Sequence, residues 1–406
     1  MYYNNRISRM LLCILVFSQL NSLRALAGEN KGEEWFSKAV KTSAYQLNKA
    51  TAVYTPGQNP RSINPNGSVR VAPYTDWTTG FFPGSLWYAY ELTHDNNLKQ
   101  QAGKFTLALD SVRYIKNTHD VGFMLFCSYG NAFRITKDKA YLPALKDGVA
   151  NLAARFNPKV GAIRSWDFSW WHYPVIIDNM MNLEYLYWSA KEFKQPKYTD
   201  IANAHALTSM KNHFRKDYSS YHVVDYDAKT GKVLAQRTHQ GVTDESAWAR
   251  GQAWGLYGYA MCYANTKKPE FLEQAKHIAA FIMNHPRMPK DKVPVWDFDV
   301  HNAVDVEEKA PRDASAAAVI ASGLLELSTQ VKDGKKYLDY AEDILKSLSS
   351  DEYLAKPDEN QYFILKHSVG ALLYNSETDT PLNYADYYYL EALKRYAEIK
   401  KINLGN

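Results

Sequence analysis

Only three cysteines occur in 406 residues, too few for a disulfide framework, and a chain of this length buries enough core without one. Cys13 lies in the first stretch of the chain, while Cys127 and Cys262 stand in apolar, aromatic surroundings and read as small buried hydrophobes. A single bridge between the last two stays open. No spacing of histidine and cysteine fits a metal site, so neither metal nor cofactor is expected. Blocks of lysine or arginine are also missing, and 48 bases stand against 43 acids for a formal charge of +5. That balance excludes nucleic acid as the natural partner.

Long apolar runs are scarce as well. Leu11 to Phe17 is one, preceded by Arg6 and Arg9 and followed by Ala25-Leu26-Ala27. It is too short to span a bilayer, and its flanks have the layout of a secretory signal with a small-residue cleavage site. Residues 1–27 are therefore expected to be removed, residues 28–406 to form one catalytic domain, and the protein to be exported to the periplasm or beyond. No cysteine follows the cleavage site, so no lipid anchor is expected. Losing Arg6, Arg9 and Arg24 brings the formal charge from +5 to +2, which says nothing about partners.

What the chain has in quantity is aromatic residues, 14% of the total, and a recurring helical pattern. Asn97 to Ala102, Ala140 to Leu145, Lys197 to Ala202, Glu270 to Ala275 and Lys336 to Ala341 each open an amphipathic helix, and each follows a more apolar, aromatic helix and a short polar turn. The apolar partners are Gly84 to Tyr90, Gly122 to Phe133, Met180 to Ala190, Gly255 to Tyr263 and Ala314 to Leu327. Trp35 to Asn48 and Leu382 to Tyr396 supply a helix near each end. Five hairpins, plus two terminal helices that make a sixth, predict a closed (α/α)6 barrel, apolar helices inside and amphipathic ones outside. The uneven repeat excludes a regular solenoid.

Extra residues fall where an inner helix is about to begin: 51–79, 157–177, 214–248, 285–312 and 353–383. Gathered at one end of a ring, such loops build a cleft. Tyr218 to Val233, alternating around Lys229-Thr230-Gly231, reads as a β-hairpin. Within Thr238 to Trp254, one histidine, two glutamines, one arginine, two tryptophans and two acids precede an aromatic helix. A core does not bury Arg250 and Gln252 without partners, and a solvated face does not present Trp248 and Trp254. The stretch fits a pocket wall, where indoles stack on sugar rings while Arg, Gln and His donate hydrogen bonds. The alternative is a buried helix start whose polar groups tie helices together.

Asp178 stands between Ile177 and Met180 at the mouth of an inner helix, where desolvation is expected to raise its pKa; an N-cap role is equally open to it. Asp120, before Val121-Gly122-Phe123, has the same two readings. If it faces Asp178 across the cleft, like charges push their pKa values apart, leaving one acid and one carboxylate. His119 beside it reads as structural.

Asp76-Trp77-Thr78-Thr79-Gly80-Phe81-Phe82-Pro83-Gly84, His119-Asp120-Val121-Gly122-Phe123, Ile177-Asp178-Asn179-Met180-Met181-Asn182, Thr238-His239-Gln240-Gly241 with Trp248-Ala249-Arg250-Gly251-Gln252-Ala253-Trp254, and Tyr384 to Leu393 occur in that order. Together they resemble the unsaturated glucuronyl hydrolases of glycoside hydrolase family 88, over about residues 30–400. The resemblance implies an (α/α)6 barrel without metal, acting on short oligosaccharides released by polysaccharide lyases, whose terminal uronic acid carries a C4=C5 double bond. Such enzymes hydrate the enol ether. It further implies that Asp178 is the general acid, that Asp120 is a second essential carboxylate, and that Trp77, His222, Gln240, Arg250 and Trp254 bind substrate. On chemical grounds the Arg250 fork suits the substrate carboxylate. The loop Lys366-His367-Ser368 is a candidate for contact with a sulfate on the next sugar, and glycosaminoglycan disaccharides are the expected substrates. Unsaturated rhamnogalacturonyl hydrolases, a barrel that binds sugar without catalysis, and a sugar epimerase are the alternatives.

Overall fold

The computed structural model describes residues 34–300 and 310–404. The expected secretory signal, residues 1–27, and Cys13 within it lie outside the described residues. Helix α1 spans Glu34–Val53, and a hairpin of β1 (Asn59–Ile63) and β2 (Val69–Ala72) follows. The first inner helix is α2 (Phe81–Thr93), returned by α3 (Asn96–Leu107). The second inner element is broken: α4 (Val121–Leu125), a π turn over Phe126–Gly130, then α5 (Asn131–Thr136), returned by α6 (Leu142–Ala154). Short strands β3 (Phe156–Asn157), β4 (Ala162–Ile163) and β5 (Pro174–Ile176) lead to a 3-10 turn, Ile177–Asn182, and then to α7 (Leu183–Glu192) and α8 (Lys197–Asn212). After β6 (Val223–Tyr226) and β7 (Val233–Arg237), the ring finishes with α9 (Ala249–Thr266), α10 (Pro269–Asn284), α11 (Ala314–Ser328), α12 (Lys335–Leu348) and α13 (Asn383–Lys400).

The two helix types follow from composition. In α10 the buried positions are Phe271, Gln274, Ala275, Ile278, Ala279 and Ile282, one stripe at helical spacing. In α9 every residue from Ala249 to Cys262 is buried, because its neighbours cover all sides. The inner elements pack in a circle: α9 on α11, α11 on α13, α13 on α2, α2 on the π turn and α5, and the 3-10 turn between α4 and α9. Helix α1 completes the outer layer against α2 and α13. This is the expected barrel of six hairpins.

The inner helices share one direction. Their N-terminal ends receive the long loops, and their C-terminal ends meet at the other mouth, where Arg134 of α5 and Lys394 of α13 pair with Glu91 of α2 and Lys191 of α7 donates to Asn265 of α9. Cys127 and Cys262 are free and buried, so no bridge joins them. Among the described residues no helix is long and apolar enough to cross a membrane.

Candidate active site

A three-stranded antiparallel sheet, β5-β6-β7, sets the heart of the cleft. Ile176 pairs with Val223, and Val223 with Arg237. Asp178 just after β5, His222 just before β6 and His239-Gln240 just after β7 therefore emerge at one end of the sheet. The expected hairpin is present, its second strand running four residues further than its sequence pattern suggested.

His222 is held in one tautomer. Its Nδ1 accepts from the backbone N–H of both His239 and Gln240, each at 3.1 Å. The ring proton is thereby placed on Nε2, which lies 3.5 Å from Asp178 Oδ2. Asp178 is 8% exposed and sits inside the 3-10 turn, with no capping bond from its side chain. The N-cap alternative thus falls away, and the carboxyl is left for chemistry.

Its ionisation is opposite to expectation. Burial does push the Asp178 carboxyl up, but His222, His119 and Arg250 together pull harder, and the net position is below the ordinary aspartate value. The sequence showed the apolar neighbours Ile177 and Met180. It did not show three basic side chains brought from other elements.

Asp120 precedes α4 and makes no capping bond either. Thr118 Oγ1 donates to its Oδ2 at 2.5 Å, and His119 Nε2 lies 3.1 Å from its Oδ1. His119 is fully buried beside Asp120, and its field also reaches Asp178, where it pulls the carboxyl down. His119 was set aside on sequence grounds as structural; the neighbouring carboxylate in His119-Asp120 was the available signal. Gly122 permits the approach: a Cβ there would meet Asn182 Oδ1 at 2.0 Å, so any side chain would drive α4 away from the turn that carries Asp178.

Arg250 departs from expectation. It is 1% exposed, and its NH1 donates to Asp313 Oδ2 at 2.9 Å, to Ser315 Oγ at 3.3 Å and to Val369 O, while NH2 donates to Gly370 O at 2.8 Å. The NH1 corner of the fork expected to grip a substrate carboxylate is taken by the protein, while Nε donates to nothing among the described residues. Arg250 also ties the starts of α9 and α11 to the 369–370 loop and lends its charge to Asp178. Gln240 joins the same loop, its Nε2 donating to Gly370 O at 2.9 Å.

Trp77 is half-buried, with its ring against Tyr384 at 4.9 Å and Phe123 at 5.5 Å. Asp76 before it is structural: Arg61 donates to Asp76 Oδ2 at 2.6 Å and to both oxygens of Glu377, at 2.7 and 2.6 Å. Trp254 is fully buried between Phe123 and Tyr388 and forms the floor beneath the cleft rather than an open stacking face. Sequence reading missed the outer rim, where Trp166 lies 5.4 Å from the His239 ring and Tyr374 Oη is 2.8 Å from His239 Nδ1. Burial beside His222 holds the His239 imidazole down at about 4, hence neutral.

The residues of the C-terminal loop offered for a sulfate already have partners or are covered. Lys366 Nζ donates to Asp351 O, His367 Nδ1 is 2.7 Å from Asp379 Oδ1, and Ser368 is fully buried. Among the described residues no group of His, Cys, Asp or Glu is arranged to hold a metal ion.

Comparison with known proteins places this geometry. The model of Glycosyl Hydrolase Family 88 matches residues 51–400. An unsaturated glucuronyl hydrolase of Formosa agariphila is 46% identical over 330 residues, 80% of this chain and 81% of that one. An unsaturated chondroitin disaccharide hydrolase of Streptococcus agalactiae is 32% identical, over 90% of this chain and 91% of that one. A solved unsaturated glucuronyl hydrolase specific for heparin is 70% identical and superposes with a TM-score of 0.90, covering 92% of this chain and 100% of the other.

Proposed function

The chain belongs to glycoside hydrolase family 88, and from that premise we propose that it hydrates the C4=C5 double bond of unsaturated uronyl disaccharides derived from glycosaminoglycans. The observation that carries the proposal is Asp178, a buried carboxyl spent on no structural hydrogen bond and flanked by the proton-bearing Nε2 of His222. The 70% identical relative specific for heparin favours a heparin-type substrate.

The chemistry follows from the side chains. Asp178 delivers a proton to C4 while positive charge develops at C5 and the ring oxygen. Asp120, fixed by Thr118 and His119, stabilises that charge and orients the incoming water. Water adds at C5 and its proton returns to Asp178, which restores the acid. The hemiketal so formed opens by breaking the bond between C5 and the ring oxygen; C1 is left as a hemiacetal, which collapses and releases the saturated sugar. Trp77 offers an aromatic face to the reacting ring, and Trp166 with His239 and Tyr374 lines the way out for the second sugar.

A general acid must hold its proton, yet the free enzyme keeps Asp178 ionised near neutrality. The substrate resolves this: its own carboxylate, arriving in the same dry pocket, repels a second negative charge and raises the aspartic acid's pKa. The fall of kcat with rising pH is therefore expected at higher pH than that of kcat/KM, which reports the free enzyme, by about one unit or more. Coincident limbs in the two profiles would remove this role of the substrate.

Loss of the enol-ether ultraviolet absorbance with unsaturated disaccharides from heparin, chondroitin, hyaluronan and rhamnogalacturonan tests the function directly. Turnover is expected on a glycosaminoglycan product. Turnover only on the rhamnogalacturonan one would transfer the chain to pectin degradation. We also propose that the protein is exported, on the strength of Arg6, Arg9, Leu11 to Phe17 and Ala25-Leu26-Ala27.

A further inference from the structure

The opposite mouth of the barrel holds a second cavity, of about 480 Å³, reaching inward along the axis to Gly122 and Asn182. Its charged residues are nearly all engaged. Arg395 pairs with Glu326 and, at 3.2 Å, with Glu391, whose oxygens also accept from Tyr257 Oη and Ser322 Oγ, each at 2.9 Å. Arg134 pairs with Glu91, and Lys394 with Glu91 and Glu398.

Apart from Lys137 and Glu192, which are exposed at the rim, two lining groups are left over. The Glu184 carboxyl forms no hydrogen bond or ion pair among the described residues. Asn182 is 1% exposed, and its Oδ1 accepts nothing, while its Nδ2 donates to Asn179 Oδ1 at 3.0 Å. Both are acceptors, so the missing partner is a donor. Asn182 is buried and Glu184 half-buried in the cavity wall, and leaving such acceptors unpartnered is costly, which points to a ligand that supplies N–H groups and positive charge.

The walls agree. Phe126, Trp188, Tyr88 and Tyr257 line the same space, and aromatic faces attract cations. The C-terminal ends of the inner helices converge here, each carrying partial negative charge. We infer that this cavity binds a small organic ammonium, its N–H groups donating to Glu184 and Asn182 Oδ1 and its apolar part lying against the aromatic walls.

Burial, with Glu391 and Glu326 close by, holds the Glu184 carboxyl up at about 7 although Arg395 and Arg134 pull it down. A bound cation favours the ionised carboxylate, so binding at pH 7 must release a fraction of a proton.

The test is calorimetric titration of the full chain at pH 7 with cyclohexylammonium chloride, in two buffers of different ionisation heat, with cyclohexanol as the neutral counterpart. Expected are saturable binding of the cation alone, proton release read from the buffer dependence, and a loss of about tenfold or more in affinity with no proton release in Glu184→Gln, the scale of one lost charge contact. Asp178→Asn should bind the cation as the parent does. The inference is overturned by equal binding of cyclohexanol, by cation binding without proton release, by an unchanged affinity in Glu184→Gln, or by binding lost in Asp178→Asn, which would put the cation in the catalytic cleft. The two measurements on the parent chain decide the matter even if Glu184→Gln does not fold.

Discussion

Asp178→Asn is expected to lower kcat on an unsaturated glycosaminoglycan disaccharide by roughly 10²–10⁴-fold, the range for losing a positioned general acid, with KM little changed. The amide keeps an oxygen where His222 Nε2 can donate, so the pocket survives; what disappears is the proton for C4. Because that proton serves the transition state far more than the bound substrate, the loss falls on kcat. The same variant should abolish the proton uptake that accompanies substrate binding near neutrality, since the depressed Asp178 is the group that must take it up. Near-normal turnover would remove Asp178 from the reaction. Sugar binding without turnover in the parent chain would make the barrel a binding protein.

Arg250→Ala is expected to act on stability before catalysis. The guanidinium is 1% exposed and faces Asp313, which is fully buried. Removing one partner strands the other's charge in the interior, a loss of about 3–5 kcal/mol. Asp313 also caps α11 by accepting from Ser315 N at 3.0 Å, so it cannot simply turn outward. Urea unfolding followed by circular dichroism measures the effect as a lower midpoint at unchanged slope. A midpoint equal to the parent's, together with a raised KM, would instead restore Arg250 as a direct ligand of the substrate carboxylate. Arg250→Lys keeps the charge but not the fork and should fall between the two.

The barrel was legible because helical periodicity is local: Phe271, Ala275, Ile278 and Ile282 declare an amphipathic helix without reference to anything outside it. Five such helices, each behind an aromatic one, imply a ring. Much of the site was legible for a related reason, since Asp120, Asp178 and His222 all stand at element starts fed by long loops. What could not be read was who meets whom. Strands β5 and β6 are three and four residues long, too short for pattern to show that they bring His222 to Asp178. The acceptors of Arg250 lie 63 and 120 positions away at Asp313 and Gly370, so its fork looked free. The error over Asp178 ionisation has the same origin: apolar neighbours are adjacent in the chain, whereas the basic groups that outweigh them arrive through the fold.

Helix α1 packs on α2 and α3 from its own end of the chain, and on α13 and the 358–363 segment from the other, where Gln46 Nε2 donates to the carbonyls of Glu359 and Phe363 at 2.9 and 3.1 Å. The first and last helices among the described residues are neighbours. During synthesis, then, the polypeptide cannot complete its circle until the final helix has left the ribosome, and every shorter product exposes an apolar seam. A chain addressed to a translocation channel would gain from this order of events, because it stays threadable until its whole length has been made.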